Sequence, residues 1–126
     1  MFSHFVIGTN DIDAAKKFYD AALAPLGHGS GQKTPDNSRI IYQSQAGILM
    51  ITKPINGEAA TYANGGTIGL IAPSTAAVDE FHKAGIAAGG MDEGAPGPRP
   101  AIPNSYAAYL RDPLGNKLVA WCVNDK

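Results

Sequence analysis

The chain opens with hydrophobic and polar positions in alternation and then changes period. Over residues 2–8, Phe-Ser-His-Phe-Val-Ile-Gly, a repeat of two puts Phe5 and Ile7 on one face of a strand and His4 and Val6 on the other. Beyond it Ile12, Ala15, Phe18, Tyr19, Ala22 and Leu23 recur at spacings of three and four, which predicts a helix over about 12–24 that buries this stripe. Asn10 or Asp11 is placed to cap its first turn, and Pro25 and Gly27 end it. Helical periodicity then disappears. Residues 39–43 and 47–53 are rich in isoleucine and bounded by turn formers, so two strands are expected there after a weaker first one. Residues 54–66, with Asn56-Gly57 and Asn64-Gly65-Gly66, read as a linker.

The pattern restarts beyond the linker. Residues 67–72 predict a strand, Pro73 with Ser74 or Thr75 opens a second helix, and Val78, Phe81 and Ala84 form its apolar stripe before Gly85. An offset of 63 pairs Phe18 with Phe81, Ala14 with Ala77 and Ala21 with Ala84, and brings Phe5 and Ile7 onto Ile68 and Leu70. Both halves keep the strand-then-helix order, so an internal βαβββ repeat is expected. The fold class that follows is α+β, with two modules (about 1–54 and 66–126) in tandem in a single domain over 1–126. Each helix covers one face of a curved mixed sheet, and the other face encloses a cup-shaped pocket.

Glycine and proline concentrate between residues 89 and 103, and 94–103 reads as a stiff loop that holds Arg99 between Pro98 and Pro100. Residues 106–123 read as a hairpin turning at Asp112-Pro113-Leu114-Gly115-Asn116, with Tyr109 opposite Val119 if its loop has three residues. Alternation in its last strand puts Leu118, Ala120 and Cys122 on the helix side and Val119 and Trp121 on the other.

Composition narrows the function classes. A length of 126 residues suits one core. A formal charge of −1 and a pI near 6.2, without a basic run, leave no footprint for nucleic acid. No apolar stretch approaches the roughly 20 residues of a membrane span. The lone cysteine, Cys122, forms no internal disulfide and reads as an inert core thiol, and with no signal-peptide pattern at the N-terminus the cytoplasm is the expected location.

The hairpin motif, the duplicated pattern, His4 and the Phe18-Tyr19 pair together resemble the vicinal oxygen chelate superfamily of glyoxalases, bleomycin-resistance proteins and extradiol dioxygenases. The segment from Gly94 to Pro100 is similar to one in a branch of glyoxalase-like proteins of largely unassigned activity. Members of the superfamily hold a metal with residues of the first and fourth strands of each half, and a glutamate usually stands three residues after the motif asparagine. Carried over, those positions are His4, Met50, Thr67 and Val119. Only His4 is a competent ligand, so the resemblance implies a cup without the family metal and without a cofactor.

The expected activity is binding of a small organic molecule. Its pocket is lined by Met50, Thr67, Val119 and a wall of Tyr42, Tyr106, Tyr109 and Trp121, with Arg99 receiving a carboxylate or phosphate. His4 serves as a hydrogen-bonding or proton-transfer group. His28 and His82 have no spaced carboxylate to form a ligand pair, and His82 is expected to be solvated. The alternative is a lyase, isomerase or dioxygenase with an atypical metal site or with His4 as base. Open strand edges and the resemblance both imply a homodimer.

Overall fold

The structure is a computed structural model that describes residues 1–123. In the first half, strand β1 (His4–Gly8) leads into helix α1 (Ile12–Leu23), a short 3-10 turn (Ala24–Leu26), and strands β2 (Gln32–Lys33), β3 (Arg39–Ser44) and β4 (Gly47–Thr52). The second half repeats the order with β5 (Ile68–Ile71), α2 (Thr75–Ala87), β6 (Met91–Pro98), β7 (Ser105–Arg111) and β8 (Lys117–Val123). The last three positions of the expected 66–126 module lie outside the described residues.

Each module has its own four-stranded mixed sheet, ordered β1-β4-β3-β2 and β5-β8-β7-β6, with the first strand parallel to the last and the remaining neighbours antiparallel. β1 and β5 are therefore edge strands of separate sheets. The offset of 63 reaches the helix caps: Asp11 accepts from the Ala14 N–H, and Ser74 accepts from the Ala77 N–H. Each satisfies one of the backbone donors that a helix start leaves open.

The residues on the helix side of both sheets join one core. Ile40 and Ile51 of the first sheet, Leu110 and Leu118 of the second, and Phe18, Tyr19, Val78 and Phe81 of the helices are all fully buried. Burying each large apolar side chain contributes about 1.5–3 kcal/mol. α1 lies against α2, and Gly90 makes room for it: a Cβ there would stand 2.4 Å from Cε1 of Phe18 and 2.9 Å from the Gly85 carbonyl oxygen.

One expected loop is partly a strand. Residues 91–98 form β6 at the edge of the second sheet, with register shifts between Asp92 and Gly94 and between Gly94 and Gly97. Edge strands tolerate proline because one row of their backbone groups has no ladder partner, and such irregularities absorb the glycines. Among the described residues no helix is long and apolar enough to cross a membrane.

The turn between β7 and β8 ties the modules together. The Asp112 N–H donates to the Asn116 carbonyl, closing a three-residue loop (113–115). Oδ1 of Asp112 accepts from the N–H groups of Leu114, Gly115 and Asn116, while Oδ2 accepts from the Tyr19 hydroxyl at 2.6 Å and the Asn116 side-chain amide at 2.9 Å. The same Asn116 amide also donates to the Gly8 carbonyl at 3.0 Å, so the hairpin holds both α1 and the end of β1.

Candidate functional site

Strand register decides which side chains share a face. Phe5 pairs with Leu49 and Ile7 with the buried Ile51, which turns these residues toward the helices and leaves His4, Val6, Ile48 and Met50 on the open face. In the second sheet Ile68 pairs with Leu118 and Leu70 with Ala120, so Gly69, Val119 and Trp121 take the open face. Phe5 with Leu49 is thus equivalent to Ile68 with Leu118, and the residues that follow in β4 and β8, Met50 and Val119, occupy corresponding positions. Thr67 lies exposed immediately before β5, at the place that corresponds to His4.

The open face of the second sheet gathers Tyr109, Val119, Trp121 and Arg99. Tyr109 pairs directly with Val119. Arg99 folds back with its guanidinium carbon 5.5 Å from the centre of the Tyr109 ring, and it donates to the carbonyls of Ala95, Gly97 and Pro98. Lys117 Nζ stands 5.1 Å from the centre of the same ring. Arg111, the cross-strand partner of Lys117, donates to Glu93 at 3.3 Å and to the Gly115 carbonyl. Lys117 and Arg111 were not among the expected site residues, although alternation through 117, 119 and 121 places Lys117 on this face.

Two expected members of the aromatic wall lie on the other side. Tyr42 shares the parity of the buried Ile40, packs in the core, and donates its hydroxyl to Asp20 Oδ1 at 2.7 Å. Burial first, and then this bond, pushes its pKa well up. Tyr106 pairs with Cys122 on the helix side and donates to Asp79 Oδ1 at 2.7 Å, a bond that raises its pKa. Tyr106 and Tyr109 are an odd number of positions apart in one strand, so they face opposite ways. Tyr106 and Arg99 do share a smaller cavity of about 380 Å³, between the start of α2 and the prolines at 98, 100 and 103.

His4 stands apart from this cluster. Its Nδ1 lies 2.7 Å from the Ser3 hydroxyl, at a cleft of about 710 Å³ between the start of β1, the turn after α1, the β3–β4 turn and β5. Phe5, Leu26, Tyr42 and Leu49 give that cleft an apolar wall, and His28 also lines it. His82 is paired with Asp92 at 2.9 Å, a partner on the next strand that no local spacing announces.

The sequence profile of the Glyoxalase/Bleomycin resistance protein/Dioxygenase superfamily matches residues 1–120. The chain belongs to this superfamily. A glyoxalase/bleomycin resistance protein from Albidiferax ferrireducens T118 is 50% identical, with a TM-score of 0.89 over 97% of this chain and 98% of that one. A lactoylglutathione lyase from Agrobacterium tumefaciens (24% identity, TM-score 0.66, 97% and 92% covered) shares the fold. So does a glyoxalase-related enzyme from Fulvimarina pelagi (17% identity, TM-score 0.77, 97% and 87% covered). No curated protein matches the chain.

The residues of this superfamily member do not fit the metal that the fold implies. Hard and borderline cations take nitrogen and oxygen donors from His, Asp and Glu. The four carried-over positions offer one imidazole, a thioether, a hydroxyl and an isopropyl group, at His4, Met50, Thr67 and Val119. Among the described residues no three His, Cys, Asp or Glu side chains cluster to hold a metal ion.

Proposed function

We propose that this superfamily member binds a small organic molecule on the open faces of its sheets without the usual catalytic metal. The observation that carries this reading is the donor chemistry at the four equivalent positions, where only His4 retains a metal-binding side chain. In place of ligands, the second sheet presents Trp121 beside Tyr109 and two cations, with Val119 buried beneath them, a surface suited to an apolar body with a polar end. Titration calorimetry against a panel of small organic molecules, with and without chelator, tests it. Binding unchanged by chelator in metal-free protein is expected, whereas stoichiometric metal by elemental analysis together with loss of binding in chelator refutes it.

His4 favours a second reading, because its ring sits at the mouth of the larger cleft in contact with Ser3. There a histidine serves as base for a metal-free isomerisation, and His4→Gln is then expected to abolish turnover while leaving binding intact. A homodimer belongs to the same proposal: Phe2, Phe5 and Val6 around the open edge of β1, and Ile71 on that of β5, are exposed apolar side chains. Sedimentation velocity reads this directly, and a monomer at all concentrations removes it. The buried lone thiol, Cys122, supports a cytoplasmic location, which localisation of a tagged chain tests.

A further inference from the structure

We propose that the ligand is an organic anion, its carboxylate or phosphate held by Arg99 and Lys117 beside Tyr109, with its apolar body against Trp121. This rests on the small-molecule reading above and names the class of molecule. The geometry is unusual for two surface cations. Each stands within cation–π range of one aromatic ring, at 5.5 Å and 5.1 Å from its centre. Neither has a carboxylate partner among the described residues: Arg99 meets only the carbonyls of Ala95, Gly97 and Pro98, and Lys117 forms no ion pair. The nearby Glu93 is taken by Arg111.

The backbone fixes Arg99 in advance. Arg99 lies between Pro98 and Pro100, and its three carbonyl contacts set the plane of the guanidinium. Lys117 is anchored in β8 opposite Arg111. A guanidinium that is already positioned loses little side-chain entropy when an anion arrives. An anion that reaches these cations gains charge-assisted hydrogen bonds, which are the stronger kind. A neutral ligand gains only the weaker, uncharged acceptor's bond there.

The test uses the full chain with benzoate, phenyl phosphate and the neutral benzamide as calorimetric probes. Benzoate or phenyl phosphate is expected to bind about tenfold or more tighter than benzamide, and the tighter of the two names the anion. Arg99→Gln and Lys117→Gln are each expected to weaken that binding about fivefold or more, with Lys33→Gln on the other module as control. Raising NaCl from about 0.05 to about 0.5 M is expected to weaken it several-fold. Far-UV circular dichroism checks that each variant is folded. Benzamide binding as tightly as the anions, or folded Arg99→Gln and Lys117→Gln proteins binding unchanged, overturns the anion assignment and leaves the small-molecule reading standing. Failure of these probes and of every molecule in the wider neutral and charged panel overturns that reading and the assignment with it.

Discussion

The bond between Tyr19 and Asp112 is the most exacting test of how the modules are held together. Tyr19 is fully buried, Asp112 nearly so, and their side-chain oxygens lie 2.6 Å apart across 93 positions of sequence. Burial, followed by the neighbouring Asp112 carboxyl, raises the Tyr19 pKa well above its ordinary value, so the phenol remains a donor. Tyr19→Phe keeps the ring and removes the hydroxyl, leaving Oδ2 with only the Asn116 amide. A hydrogen bond to a carboxylate contributes about 1.5–3 kcal/mol, so a loss of about 2 kcal/mol is expected. Asp112→Asn places an amide N–H₂ where Oδ2 accepted two donors, and about 2–3 kcal/mol is expected to go. Because the two substitutions destroy the same bond, the double variant falls short of the sum by about 1 kcal/mol or more. Urea unfolding followed by Trp121 fluorescence at fixed protein concentration measures all three. With a slope of about 1–3 kcal/mol per M, a 2 kcal/mol loss moves the midpoint by about 1 M. Additivity within about 0.3 kcal/mol refutes the coupling and with it the role given to the hairpin.

Two further outcomes are expected. Burial pushes the Asp20 carboxyl up, but bonds from the Gly31 N–H, Lys16, Tyr42 and Ser30 together hold it at about 2. A pKa lowered by folding gives stability that is present above the unfolded value near 3.8 and is lost as pH falls toward 2. Asp20 is partly exposed, so about 1–2 kcal/mol is expected to disappear over that acid range, and Asp20→Asn to show a flatter acid limb in pH-dependent unfolding. For the proposed dimer, Val6→Glu sets a charge on an exposed position of the open edge of β1 and is expected to move sedimentation toward monomer. An unchanged dimer excludes that edge from the contact.

Local patterns made most of the architecture legible. The stripe from Ile12 to Leu23 gave α1, and the offset of 63 linked caps as well as core residues, because each module solves the same packing problem. The turn motif fixed Tyr109 against Val119. Residues 94–98 read as loop because proline and glycine depress strand propensity, and only tertiary position shows that they belong to a strand at an edge. The placement of Tyr42 and Tyr106 was available from parity: Ile40 with Tyr42, and Tyr106 with Leu110, are separated by even steps and share the core side. Pairings such as His82 with Asp92 and Arg111 with Glu93 depend on the register between elements, which no local spacing contains.

The same register separates the mark of the fold from the mark of its chemistry. Asp112 and Asn116 point into the tether, where they bond to Tyr19, Gly8 and their own turn. Three residues later Val119 points to the open face. An Asp112→Ala change strands buried donors and strikes stability, whereas exchanging the side chain at 119 leaves every one of those bonds in place. The hairpin motif therefore reports that two modules are locked together and is silent about metal. The proposed ligand follows from the side chains at 4, 50, 67 and 119 and from the cations beside Tyr109, which attract an anion and repel a cation.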